Sequence, residues 1–158
     1  MQETNAFAVA AALLNAVPEA VMAERREKVA KSLDNLIAWL PEPGSWTVVP
    51  DSGGAEAYLL AGDKVFRLSL KINRQSPEWS VEAKSRSLDD RVAMVFVKHD
   101  SPAHGRTATH WQIKFGDGTS LNPNGYLEDD NPHSAEKFAR AVAAQLGWET
   151  QAPADTPS

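Results

Sequence analysis

Apolar positions in residues 1–41 recur every three or four positions, which is typical of helices. A short, alanine-rich helix is predicted from Asn5 to about Ala16, and Pro18 suits the first turn of a second helix. The second helix carries one apolar stripe, made of Met22, Val29, Leu33, Leu36, Ile37 and Leu40. Because Pro41 cannot continue a helix, residues 1–41 are predicted to be the helical N-terminal part.

After the second helix the period changes to two, as in half-buried strands. The clearest feature is a hairpin in which Gly62 and Asp63 join two strand-like runs, residues 55–61 and 64–72. Folding these runs across the turn brings apolar residues together on one face, with Leu59 opposite Phe66, Ala57 opposite Leu68 and Ala55 opposite Leu70. The register is therefore predicted together with the faces of both strands.

Other strand-like runs occupy residues 46–49, 79–84, 92–97 and 111–115. Consecutive strands with short connections pair antiparallel, so residues 45–121 are predicted to form an antiparallel sheet of about six strands. Residues 92–97 are apolar on both faces, and we therefore expect them to form the most buried strand or to lie under a helix.

A last helix is predicted over residues 132–147, with Gly147 as its natural end. Its apolar face contains Ala135, Phe138, Ala139, Val142 and Leu146. Residues 149–158 hold two prolines and no large aliphatic side chain, which predicts a disordered tail. Helices at both ends of a run of strands indicate an α+β fold, and the absence of a linker predicts a single domain over residues 1–148.

The order of several antiparallel strands followed by one C-terminal helix is similar to that of pleckstrin-homology-like domains. The resemblance implies an alternative architecture, in which the sheet curls into a partial barrel and the last helix caps it. The two N-terminal helices depart from that family's pattern.

Composition narrows the class of protein. The chain has 158 residues, 42% of them hydrophobic, and no cysteine, which excludes disulfides, thiolate metal sites and cysteine nucleophiles. No run approaches the roughly 20 apolar residues of a membrane helix, so no transmembrane segment is predicted. The apolar run near the N-terminus lacks a preceding positive region, and we expect a cytoplasmic, soluble protein.

Charge is unevenly spread along the chain, whose net charge is −5. Residues 46–121 carry ten Lys and Arg against nine Asp and Glu, whereas residues 122–158 carry two against six. A nucleic-acid binder usually has a strongly basic surface, so this balance disfavours nucleic acid as a partner.

Candidate catalytic groups are sparse. His99, His104 and His110 cluster around one loop, but their spacing defines no metal geometry, and the acidic residues fall in predicted turns, where they bond the local backbone. Gly116 and Gly118 flank Asp117 in a pattern that a hairpin turn explains. We therefore predict no catalytic residue, no metal and no cofactor, and the enzyme hypothesis is disfavoured.

Two surfaces remain for contacts with partners. Alternation places five side chains on the outer face of the predicted sheet, as a partner-binding face: Arg67, Lys71, Lys84, His110 and Lys114. The first helix is too short and apolar to stand alone in water, so it packs within the chain or on a second copy. Its candidate contacts in a homodimer are Phe7, Ala10 and Leu14.

The favoured function is a non-catalytic protein-binding or adaptor module, of the kind of an accessory, immunity, antitoxin or chaperone-like factor. One alternative is a small enzyme or ligand-binding domain that uses the loops at residues 99–106 and 122–133 as pocket walls. Another is a peripheral contact of the basic sheet face with lipid or nucleic acid.

Overall fold

The computed structural model describes residues 5–51, 53–88, 92–101 and 105–147. The chain groups into two compact units, residues 1–86 and 87–158. Its strands form two antiparallel sheets, so the predicted α+β class is confirmed. The described residues form eight strands rather than about six, and these strands divide between two sheets instead of forming the one sheet or partial barrel that was predicted. The single domain over residues 1–148 stays a prediction, and the tail at 149–158 lies outside the described residues.

The first unit contains the predicted helical part and a four-stranded sheet of order β1-β2-β3-β4. Its elements are α1 (Asn5–Ala16), α2 (Glu19–Met22), a 3₁₀ turn (Ala23–Arg25), α3 (Arg26–Ile37), β1 (Ser45–Asp51), β2 (Gly54–Ala61), β3 (Lys64–Ile72) and β4 (Trp79–Ser87). The predicted second helix is thus divided, because Ala23 adopts a positive φ of 26° that an α-helix cannot continue.

The β2–β3 hairpin has the predicted register. Leu59 lies opposite Phe66, Ala57 opposite Leu68, and Ala55 opposite Leu70. Gly62 in the turn has a φ of 64°, a left-handed conformation that glycine adopts without strain. The apolar face of this hairpin joins α1 and α3 in one core, in which Val9, Leu13, Met22, Val29, Leu33 and Leu68 are fully buried.

The second unit contains a sheet of four strands and the last helix. Its elements are β5 (Val92–Asp100), β6 (Ala108–Phe115), β7 (Ser120–Leu121), β8 (Asn124–Tyr126) and α4 (Ala135–Gln145). The central strand is β6, which pairs with β5 on one side and with both β7 and β8 on the other. The Ser134 hydroxyl accepts a hydrogen bond from the Lys137 N–H at 3.3 Å and caps α4.

A buried polar group ties α4 to β6. The Trp111 Nε1–H donates to Glu136 Oε1 at 2.7 Å, and Arg140 Nε donates to Glu136 Oε2 at 2.6 Å. Glu136 is only 5% exposed, so these two bonds replace the water that its carboxylate gives up on folding. Ala139 and Ala143 pack on the same indole.

The prediction that residues 92–97 form the most buried strand is wrong. Met94 is 44% exposed, Phe96 43% and Val97 36%. The reason is position: β5 pairs with β6 and with no other strand among the described residues, so it is an edge of its sheet. An apolar run does not distinguish a central strand from an edge strand.

Gly54 should not tolerate a side chain. Its φ is 151°, and a Cβ built there would lie 1.9 Å from the backbone oxygen of Leu70 on β3. We expect Gly54→Ala to lower the free energy of unfolding by about 3 kcal/mol or more, measured by urea denaturation. Gly44→Ala is the matched control, since its Cβ would meet nothing closer than 3.9 Å, and it should change stability by about 0.5 kcal/mol or less. Equal effects of the two changes would contradict the observed strand packing.

Loss of the Glu136 carboxylate should destabilise the second unit. Glu136→Ala leaves the buried Trp111 Nε1–H without its acceptor, and we expect a cost of about 2–3 kcal/mol in thermal or urea unfolding. Gln145→Ala, at the exposed end of the same helix, should cost about 0.5 kcal/mol or less. If the Glu136→Ala protein were as stable as the Gln145→Ala protein, the buried hydrogen bonds would make no net contribution to the free energy of unfolding.

Candidate functional site

The five residues of the predicted basic face do not share one sheet. Arg67 and Lys71 lie on β3 and Lys84 on β4, all in the first sheet, whereas His110 and Lys114 lie on β6 in the second. The structure therefore replaces one five-residue face by two smaller sets. A role of these residues in partner binding stays a prediction.

The first-sheet set is partly neutralised. Arg67 is hydrogen-bonded and ion-paired to Glu56 on the neighbouring strand, and Glu56 also accepts the Tyr58 hydroxyl at 3.1 Å. The hydrogen bond to Glu56 is the main cause that raises the pKa of Arg67 above its ordinary value, against the opposing effect of burial. All three cations of this set are exposed, and of the three only Arg67 has an ion pair with a described residue.

The proposed dimer contacts on α1 are mostly inside the first unit. Ala10 is 4% exposed and Leu14 9%, and both belong to the unit's own core, while Phe7 is 53% exposed. The first helix thus packs within the chain, one of the two outcomes considered for it. A homodimer through this helix stays a prediction, with Phe7 as its accessible contact.

The histidine and turn-acid hypotheses find little geometric support. Within the described ranges, no three His, Asp or Glu side chains converge as a metal site would need; His104 lies outside those ranges. Asp51, Asp117 and Asp129 each accept the backbone N–H of the residue two positions ahead, at 2.8–3.0 Å. These carboxylates therefore stabilise local turns, which is a common role of aspartate in loops.

The two loops predicted as pocket walls are tied together in their described parts. The Thr107 N–H donates to Glu128 Oε1 and the Leu127 N–H donates to the Thr107 carbonyl, both at 2.8 Å. The Arg106 guanidinium lies 3.8 Å from the centre of the Tyr126 ring, a cation–π contact. A pocket between these loops stays a prediction, because residues 102–104 are outside the described ranges.

The second sheet presents a different surface. Met94 lies opposite Lys114, Phe96 opposite Gln112, and Lys98 opposite His110. Residues directly opposite one another in an antiparallel pair point to the same face, so these side chains share the face that lies away from the Trp111 side of the sheet. We name as the β5 surface the exposed side chains Met94, Phe96, Lys98, His110 and Lys114.

The β5 surface combines apolar and positive groups. Lys98 Nζ lies 3.6 Å from Asp100 Oδ2, and His110 Nε2 lies 3.4 Å from Asp100 Oδ1, so one carboxylate is shared by both. Lys114 makes no ion pair with any described residue. The local balance is therefore positive, two lysines against one acid, around the two exposed apolar side chains.

A shallow depression of about 230 Å³ lies on this face, between Phe96 and Lys98 of β5, His110 of β6, and Asn122 and Asn124. The Asn124 carboxamide oxygen accepts the Trp111 backbone N–H at 3.0 Å, which holds β8 against β6. The depression gives the β5 surface a polar border beside Phe96.

Sequence reasoning placed His110 and Lys114 outward and missed the β5 half of the surface. The sequence gives a partial indication that β5 is exposed. Lys98, His99 and Asp100 follow the apolar run without a turn, which is unusual for a strand buried on both faces. Met94 and Phe96 carry no such mark, because their spacing fits a buried strand equally well.

No protein-family model, no curated protein and no solved structure matches this chain. Among the described helices none is long and apolar enough to cross a membrane alone; residues 7–16 and 19–37 meet that test only as a pair, bent by 97°.

The pKa of Glu128 should identify the loop contact in solution. Its hydrogen bonds with Thr107, aided by the charge of Arg106, hold that pKa below the ordinary value for glutamate. A depressed pKa in the folded state contributes stability above the unfolded value, and this contribution is lost as pH falls through the folded pKa. In a ¹³C NMR titration we expect the pKa of Glu128 to lie below the ordinary value for glutamate, and Glu128→Gln to reduce the acid-side loss of stability. An unshifted pKa of Glu128 would contradict the contact.

Proposed function

We propose that this chain is a non-catalytic protein-binding module that adds an extended segment of a partner protein to the free edge of β5. The observation that supports the proposal is an edge strand that exposes Met94, Phe96 and Val97. Natural proteins normally protect a sheet edge with short strands, prolines or charges, because an open edge pairs with other chains. β5 is nine residues long, has no proline, and carries its charges only at one end.

Main-chain hydrogen bonds would supply the affinity of this contact. An edge strand offers a row of backbone N–H and C=O groups to an incoming strand, and pockets for alternate side chains give the selectivity. Within the described residues, β5 has a pairing partner on its β6 side alone. The other side is where the partner segment would lie.

The side chains define the chemistry of that segment. Beside Met94 and Phe96 it would place apolar residues, and beside Lys98 it would place acidic residues, which the charge of Lys114 on β6 would also favour. On the opposite face it would meet Val95 and Val97. The proposed partner is therefore an extended segment with alternating apolar and acidic positions.

The remaining alternatives fit the observations less well. Two lysines beside one aspartate on a chain of net charge −5 make a weak footprint for nucleic acid. An accessory, immunity, antitoxin or chaperone-like role in the cytoplasm remains part of the proposal.

Synthetic peptides test the proposal directly. The probe is a ten-residue peptide with threonine on one face and alternating leucine and glutamate on the other, titrated into ¹⁵N-labelled protein. We expect saturable amide shifts centred on β5. A peptide with lysine for glutamate should bind about tenfold more weakly, because its charge repels Lys98 and Lys114.

Two N-methylated versions separate strand pairing from unspecific apolar contact. Methyl groups on odd or on even residues block alternate backbone donors, and only one of the two sets faces β5. One version should therefore lose binding while the other keeps it. Phe96→Ser and Lys114→Glu should each weaken binding of the parent peptide. Lys84→Glu, which changes an exposed lysine on the first sheet, should leave that binding unchanged.

Three results would overturn the proposal. These are the absence of β5 shifts, equal binding of both charge versions, and equal loss from both N-methylated versions. Strong, salt-sensitive binding to a single-stranded oligonucleotide or to anionic vesicles instead would favour the basic-face alternative.

A further inference from the structure

A cleft of about 410 Å³ lies in the first unit, between the helical segment at residues 20–28 and the chain at residues 74–79, which leads from β3 into β4. Its volume falls within the roughly 300–1,000 Å³ of small-molecule sites. The cleft shares no residue with the β5 surface. Its polar lining comprises Glu24, Arg25, Lys28, Arg74 and Ser76.

The cleft is rich in positive charge. Arg25, Lys28 and Arg74 are three cations, and the carboxylate of Glu24 is the one acid that lines the cleft with them. None of the three cations forms an ion pair with a described residue. The cleft is therefore a local positive region on a chain whose net charge is −5, and such a concave region concentrates anions.

Arg25 holds one wall of the cleft and keeps its charge. Its Nη1 donates to the carbonyls of Asn73 at 3.0 Å, Ser76 at 3.1 Å and Glu78 at 3.2 Å. Because carbonyl groups carry no net charge, the guanidinium stays a full cation. Its Nε and Nη2 form no hydrogen bond with the described residues, so they can still donate to a ligand.

The loop that carries Arg74 is ordered by further bonds of its own. The Asn73 N–H donates to the Glu78 carbonyl at 3.0 Å, and the Glu78 N–H donates to the Ser76 hydroxyl at 3.2 Å. Together with the three bonds from Arg25, these contacts set the backbone of this wall before any ligand binds. A preformed wall lowers the entropic cost of binding.

The donors of the cleft match the oxygens of a phosphate group. The half-buried Ser76 hydroxyl accepts the Glu78 N–H, and its own proton forms no bond with a described residue. With Arg25, Lys28 and Arg74, it makes a set of groups that can donate to one anion. Phosphate oxygens are strong acceptors, and the planar guanidinium of arginine fits them with two parallel bonds.

The rest of the lining leaves room for an organic group. Ala20, Val21 and Pro77 supply apolar surface, and Val21 also packs against the core of the unit. This surface offers no side-chain donor or acceptor to a hydroxyl group of a ligand. The part of the ligand beyond its phosphate is therefore expected to be small and largely apolar.

The backbone that enters the cleft is strained. Ala23, which also lines it, has φ 26° and ψ −111°, and among the described residues no other non-glycine has a positive φ. Such strain persists where the surroundings impose it, and it is concentrated at functional sites. Here it turns the chain between α2 and α3. Arg25 and Lys28 follow it three positions apart, a spacing that makes them neighbours on a helical turn.

We propose that this cleft binds a small organic phosphate monoester. The phosphate oxygens accept hydrogen bonds from Arg25, Lys28 and Arg74, and the organic group lies against Val21 and Pro77. Bonds between ionised partners are of the stronger, charge-assisted kind. The site is independent of peptide binding at β5, so failure of either proposal leaves the other standing.

NMR titration of the full ¹⁵N-labelled chain tests this site. The probe is phenyl phosphate, and we expect it to shift the Arg25 and Ser76 amides with a Kd on the order of 1 mM or tighter. Raising NaCl from about 50 mM to about 300 mM should weaken this binding, because the lysine and one arginine are exposed to solvent. Inorganic phosphate should shift the same amides with lower affinity, since it lacks the apolar group. Benzyl alcohol, which has a similar ring and no charge, should not shift them.

Variants of the exposed cations make the result specific. The double change Lys28→Gln and Arg74→Gln should weaken phenyl phosphate binding about tenfold or more, because it removes two charge-assisted donors. Lys31→Gln with Lys64→Gln is the matched control: it removes the same charge at exposed positions outside the cleft and should change the affinity by about twofold or less. Arg25 is left unchanged in both proteins because it also holds the loop.

Three outcomes would overturn the proposal. The first is that phenyl phosphate does not shift the amides of the cleft. The second is that the two double variants weaken its binding equally, which would assign the effect to overall charge. The third is that benzyl alcohol binds as tightly as phenyl phosphate, which would make the cleft an apolar site that does not recognise phosphate.

Discussion

The register of the β2–β3 pair is the constraint from which most of the first unit follows. Because side chains alternate along a strand, a slip by one residue would send Leu59 and Leu68 to the opposite face and remove the surface on which α1 and α3 pack. The same register places Gly54 opposite Lys71 and so close to the Leu70 carbonyl that no side chain fits. One pairing thus determines both the core of the unit and the close approach of β2 to β3 at the end of the sheet.

In the second unit the corresponding constraint is the central position of β6. Its Trp111 face is held to α4 through Glu136, while its other face carries His110 and Lys114 beside the exposed residues of β5. Since β7 and β8 occupy one side of β6 and β5 the other, the sheet has two edges among the described residues, the short strands β7 and β8 on one side and the nine-residue strand β5 on the other. The exposure of Met94 and Phe96 is a consequence of strand order, not of their own chemistry.

Local features could be predicted from the sequence because their causes are local. Gly62 and Asp63 permit a tight turn, and the alternation on either side leaves one register that buries every large apolar side chain. The α+β class follows from element order in the same way. The division into two sheets does not, because β4 and β5 are as close in sequence as strands that pair and yet belong to different sheets.

The candidate sites depend on still longer separations. Arg25 contacts carbonyls 48 to 53 positions further along the chain, and Trp111 donates to an acid 25 positions away. Such contacts need backbone geometry, including the strained turn at Ala23, that composition does not reveal. The basic residues were predicted to lie on one sheet, whereas Arg67, Lys71 and Lys84 lie on the first sheet and His110 and Lys114 on the second.

The two units differ in how far their backbone groups are paired within the chain. In the first unit, Arg25 donates to three carbonyls of the loop between β3 and β4, so these carbonyls are satisfied without any partner. Along β5, pairing among the described residues involves β6 alone, so one side of the strand keeps donors and acceptors for a further strand. An edge of this kind suits a chain that becomes extended as it binds, which is why we propose a peptide segment as its partner.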